Sequence, residues 1–448
     1  MSVFGIRGIH VPHRKNTAGA SPMRFSDVKE VLLPTVQHIG APAKPVVKVG
    51  DTVAVGDLVA EAGGFVSSPI YAPVSGKVKK IEDYLLSNGS FAPAILIESD
   101  REMRVSEKIA PPNVHDFDSF VAAVQASGLV GLGGAGFPTH VKLAVKDTSK
   151  IDAVILNGAE CEPYITSDTV TMTEHAVEIA EGIALLETYL GVKKVIIGIE
   201  KNKPAAIKKM QEIAASNPIV SVKVLPAGYP QGGEKVLIYN TVGRIVPEGK
   251  LPLDVGVIVL NVTSLAFIAS YIKTGMPLVE KCITVDGSAV AHPKNVIVPI
   301  GTPMKDVFAF CGGFCAEPKK ILYGGPMMGI AVPSDEAPIL KNTNAILAFD
   351  EKDATLPPET NCLHCGKCQS TCPLRLNPPA IADALNRKDA KALYELRVNL
   401  CMECGACAFV CPARRQLVQR HKLAKTELRK YQTKLAEEKK KAEEENRG

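Results

Sequence analysis

Eight cysteines fall in two copies of one pattern, C-x2-C-x2-C-x3-C followed by proline. The first copy is Cys362, Cys365, Cys368 and Cys372, with Pro373 next; the second is Cys401, Cys404, Cys407 and Cys411, with Pro412 next. Three thiolates on a tight turn can grip three corners of an iron–sulfur cube while the fourth is held further off. Where the motif is doubled, the fourth cysteine of each copy serves the other cluster. The spacing therefore predicts one [4Fe–4S] cluster on Cys362, Cys365, Cys368 and Cys411, and a second on Cys401, Cys404, Cys407 and Cys372. Zinc is the competing reading, but structural zinc sites use two C-x-x-C knuckles well apart. With 12 cysteines in all and eight of them so clustered, metal ligation is expected and a disulfide framework is not. Clusters of this kind carry single electrons, so the chain handles redox equivalents. Cys282, Cys311 and Cys315 read as buried structural thiols. Cys161 lies between Glu160 and Glu162, whose charge would raise its pKa, so no nucleophile is expected there.

Outside the cysteine segment the composition is that of a folded protein: 448 residues, 46% of them hydrophobic, enough for two to four cores. No apolar run approaches the roughly 18–20 residues of a membrane span. The N-terminal stretch MSVFGIRGIHVPHRKNTAGASP has no apolar core, so no secretory signal is expected and a cytosolic or peripheral protein is. The net charge is +5, and the tail from Arg415 onward holds 11 Lys and Arg against 6 Asp and Glu, which leaves the body neutral. A body that bound nucleic acid would show its own basic face. The basic tail suits an acidic partner, a lipid surface or simply a solvated helix.

Six segments follow from the pattern. Residues 1–27, rich in Gly, Pro and Arg, read as an arm without regular structure. Residues 28–110 hold short strands punctuated by Gly and Pro, an all-β unit. Within it "VKVGDTVAVGDLVAE" and "APVSGKVKKI" are similar to lipoyl and biotinyl domains, which are barrel-sandwich hybrids. Those carriers hold a cofactor on a hairpin-tip Lys; the matching "EAGGFVSSP" has none, so the likeness implies a docking or scaffolding shape. Residues 111–275 alternate strands such as "DAVILN", "KVIIGIE" and "VGVIVLN" with helices, which indicates an α/β domain with a mainly parallel sheet. Residues 276–345 form a small α+β unit, residues 346–415 carry the cysteine motifs, and residues 416–448 form a charged helix. There Leu417, His421, Ala424, Leu428, Tyr431 and Leu435 make a helical stripe able to lie on a partner or back on its own chain.

"GLVGLGGAGFPTHVKL", Gly128–Leu143, bares backbone as a tight turn, a helix cap or a phosphate cradle would. It opens a predicted helix, whose free N–H groups and dipole favour a phosphate. It lacks the Gly-Lys-Ser/Thr of a Walker loop and fits G-x-G-x-x-G after a strand poorly. "NGAECEP", "YPQGGEK" and "LNVTSL" also lie at predicted element ends, which converge on one ligand site in an α/β sheet. His140, on the predicted helix, reads as a surface or packing residue.

In their order, "GIHVPHRK", "GLGGAGFPTHVKL", "NGAECEPYITSD", "GYPQGGEK", "YGGPMMG" and the two cysteine motifs closely resemble the RnfC family, a component of the Rnf complexes, which are membrane-bound ferredoxin:NAD+ oxidoreductases. The α/β domain, the α+β unit (similar to an SLBB, ubiquitin-like domain) and the glycine loop also resemble the flavin-binding subunit of respiratory complex I, which binds FMN and NADH. That resemblance implies that Gly131, Gly133 and Gly134 present backbone to the FMN phosphate and flavin. It implies FMN contacts for Asn157, Glu160, Gly233 and Glu234, and a phosphate end completed by Asn261 and Ser264. Phe137, Lys142 and Glu162 match positions that hold the nicotinamide nucleotide. The relative has Arg where this chain has Leu132 and Glu where it has Lys235.

The expected function is a peripheral redox subunit on the cytoplasmic side of the membrane. NAD(H) exchanges hydride with bound FMN, and two [4Fe–4S] clusters pass single electrons to or from the membrane subunits and a ferredoxin-like iron–sulfur subunit. The cofactors carry the chemistry, so no general acid or base is expected. The β unit and the C-terminal helix are the expected docking elements. A soluble flavin–iron–sulfur reductase, such as a cobalamin reductase, and a flavin-free electron-wiring scaffold are the alternatives.

Overall fold

Four parallel strands organise the centre of the molecule. The computed structural model describes residues 6–445; residues 1–5 of the expected arm and 446–448 of the expected helix lie outside the described residues. Across the sheet the strands run Val220–Leu225, Val195–Glu200, Ala153–Asn157 and Val257–Asn261. The last three are apolar and buried almost throughout, as parallel strands covered by helices on both faces must be. The chain builds outward from Ala153–Asn157 in one direction and then returns to place Val257–Asn261 on its other side. The strand order reverses there, and Asn157 and Asn261 are direct register partners. In an open α/β sheet a ligand crevice lies outside the carboxyl ends of the strands at such a reversal.

The β unit has one sheet ordered Glu30–Pro34, Phe91–Ser99, Gly76–Leu85, Thr52–Val53 and a second ordered Lys44–Pro45, Leu58–Glu61, Ile70–Tyr71. Val31, Leu33, Val59, Ile70, Ile95 and Ile97 fill the space between them. Its tip, expected to serve docking, is engaged within the chain. His140 Nε2 hydrogen-bonds Phe65 O (2.9 Å), with the Phe65 ring edge-on at 5.8 Å. Ser68 Oγ donates to Gly128 O (2.8 Å).

A six-stranded sheet follows, ordered Met23–Arg24, Lys294–Pro299, Glu280–Asp286, Ala345–Phe349, Lys320–Tyr323, Ile330–Val332. It departs from the sequence reading twice. The arm is not wholly irregular, since Met23–Arg24 pairs in parallel with Val296–Ile297; two residues carry no periodic signal. Ala345–Phe349, placed by sequence mostly beside the cysteines, is buried along its whole length in this sheet, and a short apolar run does not declare which sheet it joins. Cys311 is buried as expected, whereas Cys315 is exposed.

The C-terminal helix Leu417–Glu445 folds back over Pro378–Asn386 and Ala390–Glu395. Leu417, His421, Ala424 and Leu428 are buried there and Tyr431 is partly so, while Leu435 is 36% exposed. The stripe thus spends its first three turns on its own chain. Among the described residues no helix is long and apolar enough to cross a membrane.

Two buried lysines bind these units to one another. Lys341 Nζ, wholly buried, donates to Ser68 Oγ (3.1 Å), Gly128 O (2.7 Å) and Pro69 O (2.5 Å). Lys281 Nζ donates to Leu132 O (3.2 Å) and Lys341 O (3.0 Å). Burial lowers each amine to about 7. In the unfolded chain a lysine titrates near 10.4. Between these values the unfolded state binds more protons, so stability rises with pH through that window. The stability advantage of wild type over Lys341→Met should therefore grow between pH 7 and 9, by at most about 1.4 kcal/mol per pH unit, in paired urea denaturations.

Candidate functional site

The crevice at the strand reversal is a cavity of about 510 Å³, within the roughly 300–1,000 Å³ of ligand sites. Ten of the twelve expected nucleotide-site residues line it: Gly131, Gly133, Gly134, Lys142, Asn157, Glu160, Glu162, Gly233, Glu234 and Asn261. Phe137 and Ser264 do not. Phe137 closes the glycine loop through its backbone, its carbonyl accepting from Gly131 N (2.8 Å). Ser264, buried, accepts Leu132 N on its Oγ (3.0 Å) and so anchors the loop from behind. Leu132 is 3% exposed and joins the main core; where the relative carries a guanidinium, this chain offers backbone only. Lys235 is not part of the lining.

The predicted helix after the loop is only Thr139–Leu143, without a side-chain cap, too short for an appreciable dipole. The long helix at the reversal is Val262–Thr274, and Asn261 caps it: its Oδ1 accepts Thr263 N (3.0 Å) and Ser264 N (3.2 Å). The first N–H groups of that helix are thereby already satisfied. Asn261 Nδ2 donates to Asp168 Oδ2 (2.8 Å), and Asp168 Oδ1 accepts Thr263 Oγ1 (2.7 Å). Asn157 Nδ2 holds Gly232 O (2.9 Å).

The acidic residues of "NGAECEP" are occupied by the protein itself. Glu160, in the left-handed region at φ 46°, caps the helix Ser167–Glu174 by accepting Asp168 N (2.6 Å) and Thr169 Oγ1 (2.5 Å). Lys203 Nζ donates to Ala159 O (2.6 Å) and Lys15 Nζ to Glu160 O (3.0 Å), two amines fixing the loop's carbonyls. Glu162 accepts Met327 N (3.1 Å) and Met328 N (2.8 Å), and burial raises its carboxyl to about 7. Only glycine fits at 325, where a Cβ would stand 2.2 Å from Glu162 Oε2. Cys161 has its thiol pushed up to about 12, chiefly by burial and only secondarily by neighbouring carboxylates. Lys142 and Glu234, expected to meet different ligands, pair with each other at 3.0 Å, partly exposed at the cavity.

Sequence reasoning missed much of the opposite wall. Gly324, Gly325 and Gly329 of "YGGPMMG" line the cavity, with Asn342 and Asn344. Asn342 Nδ2 donates to Gly134 O (3.0 Å) and Asn344 Nδ2 to Gly133 O (3.4 Å), holding the glycine loop open. The glycine run was a visible signal; the two asparagines carried none.

The cysteine motifs share one backbone plan. His364 and Glu403, Gly366 and Gly405, and Arg375 and Arg414 hold positive φ at corresponding places in the two copies. Cys372, Cys401, Cys404 and Cys407 line a single small cavity with His421. The first motif's fourth cysteine thus stands with the second motif's first three. In the other group, Cys411 and Cys362 are near enough to Cys368 to raise its thiol, an effect smaller than burial's. Backbone N–H groups point at sulfur: Leu376 N to Cys372, Glu403 N to Cys401 and His364 N to Cys362, each at 3.4 Å. Burial raises Cys404 to about 11 and Cys407 to about 12, so these thiols stay protonated at neutral pH until a metal centre displaces the proton.

Met402 lines both this cage and the large cavity.

Family models match three parts of the chain: an RnfC barrel sandwich hybrid domain over residues 5–102, a Nuo51 FMN-binding domain over residues 124–270 and an SLBB domain over residues 282–331. The chain is 42% identical to the RnfC-type component of the Na+-translocating ferredoxin:NAD+ oxidoreductase complex of Acetobacterium woodii, covering 85% of this chain and 87% of that one. It is 41% identical to the counterpart in the proton-translocating complex of Clostridium ljungdahlii, over 87% and 86%. It is 38% identical to the counterpart in the ion-translocating oxidoreductase complex of Rhodobacter capsulatus, over 84% and 74%. A chain of an air-oxidised NAD+-reducing [NiFe]-hydrogenase is similar at 19% identity and TM-score 0.49, over 68% of this chain and 63% of that one.

Because Asn261 caps the long helix and holds Asp168 at once, Asn261→Ala should destabilise the protein by about 1 kcal/mol or more, read as a lowered urea midpoint with an unchanged slope.

Proposed function

The chain belongs to the RnfC family of ion-translocating ferredoxin:NAD+ oxidoreductase complexes, and from that premise we propose that it is the peripheral subunit where two-electron and one-electron chemistry meet. When bound, FMN would supply the exchange between hydride and single electrons, and [4Fe–4S] clusters would supply one-electron carriers. The protein supplies position. Gly131, Gly133 and Gly134, held apart by Asn342 and Asn344, offer bare backbone against which the flavin mononucleotide lies. Lys142, paired with Glu234 near the opening, supplies the cation nearest an incoming nucleotide phosphate. Glu162 acts at one remove: by fixing Met327 and Met328 it shapes the wall against which the nicotinamide nucleotide stands. Cys372, Cys401, Cys404 and Cys407 would hold the cluster next to the flavin; Cys362, Cys365, Cys368 and Cys411 would hold the outer one, where Cys365 is exposed.

The observation that carries this reading is the shared wall. A cavity lined by the residues expected of a nucleotide site and a four-thiol cage have Met402 in common, which would place a bound flavin and a bound cluster on either side of one side chain. In this reading the membrane subunits and a ferredoxin-like iron–sulfur subunit are the partners, and the chain sits on the cytoplasmic face through them.

Anaerobically prepared protein should show visible flavin absorption that bleaches on adding NADH; an iron–sulfur spectrum without extractable FMN would overturn the proposal. Cys372→Ser should abolish the centre formed with the second motif and lower bound iron by half, while the EPR signal of the other cluster remains.

A further inference from the structure

Gly233 opens the helix Glu234–Val242, where the family resemblance implies bare backbone facing a flavin. A different neighbour occupies the space beside it. A Cβ at this position would stand 2.1 Å from Cε of Met402 and 3.4 Å from its Sδ. Met402 arrives from the cysteine unit, between Cys401 and Cys404. Around it Tyr229, Cys404, Ala406 and Val11 form an apolar cluster, with Cys161 and Met327 packed against it. Tyr229, 2% exposed, donates its hydroxyl to Cys404 O at 2.6 Å. Two units of the chain therefore meet here through one thioether and one phenol hydroxyl. A thioether is unbranched and polarisable, and it fills an irregular gap.

We infer that Met402 is the positioning residue that couples the cavity to the second cysteine cage, and that residue 233 is glycine to admit it. The inference rests on the reading that FMN fills the cavity and a cluster fills the cage. Met402 closes the cage on the side of the cavity and sets the separation between the two groups. Outer contacts of this kind control solvent access to a metal centre and hence its potential. The same contact explains why a residue outside the α/β domain lines a cavity at the end of its sheet.

The test uses the full-length, FMN-loaded, iron-reconstituted protein and four variants: Met402→Ala, Met402→Leu, Gly233→Ala and the double variant Gly233→Ala/Met402→Ala. Met402→Ala should alter the EPR line shape and midpoint potential of the cluster bound by Cys372, Cys401, Cys404 and Cys407, and leave those of the outer cluster in place. In stopped-flow with NADH, the cluster-reduction phase should slow about tenfold or more relative to the flavin phase, the scale at which outer-shell changes act. Met402→Leu should recover most of that rate. Gly233→Ala should lower Tm slightly with Met402 present, since the flexible end of Met402 must move aside, and less still with Met402→Ala, because the added methyl then enters vacated space.

Equal changes in both clusters, or an unchanged ratio of the two phases in Met402→Ala, would overturn the inference. So would loss of flavin from Gly233→Ala in both backgrounds, which would make the glycine a requirement of the cofactor instead of Met402. A wild-type protein lacking flavin or the second cluster would sink the functional reading instead, and the Tm cycle would still decide whether glycine 233 serves Met402.

Discussion

Everything at the site hangs on the reversal of strand order between Ala153–Asn157 and Val257–Asn261. Because the two strands are neighbours whose connections leave in opposite directions, a crevice opens beyond their carboxyl ends. Asn157 and Asn261 stand side by side at that edge, and each spends its amide on a loop or helix start instead of leaving it to solvent. The glycine loop, the "NGAECEP" loop and the "GGEK" turn are then drawn over the same opening.

The loops would collapse into that opening if nothing held them back. Lys281 and Lys341 donate to carbonyls on the glycine loop from below, and Asn342 and Asn344 do so from the rim. Lys15 and Lys203 clamp the acidic loop. These amines are buried and their acceptors are mostly backbone carbonyls. Geometry gains more from them than stability does, since a buried charge is costly. The cavity is thus a preorganised space, and Met402 at its far wall is where the α/β domain meets the cysteine unit.

Much of this was legible in the sequence and some of it could not be. The doubled cysteine pattern implied that the fourth cysteine of one copy stands with the other copy, and Cys372 does stand with Cys401, Cys404 and Cys407. Continuous apolar runs marked the central strands because burial on both faces is written in the strand itself. Phe137 and Ser264 belong to the right segments yet do not line the cavity; a motif places a residue on a loop without stating which way the loop turns it. Glu160 and Glu162 do line the cavity, but their oxygens are taken by backbone N–H groups that lie close in space, two of them more than 160 residues away in sequence. Met402, Asn342 and Asn344 left no trace, since their importance comes entirely from contacts between distant segments. Leu132 is instructive in the other direction: where the relative has Arg, this chain buries an apolar side chain in the core.

The most direct test of the account is iron-edge anomalous diffraction from crystals of the FMN-loaded, reconstituted protein. The account predicts two iron peaks, one among Cys372, Cys401, Cys404 and Cys407 beside Met402, with flavin density in the cavity on the other side of that residue. Iron partitioned motif by motif, or a flavin bound away from Asn157 and Asn261, would contradict it.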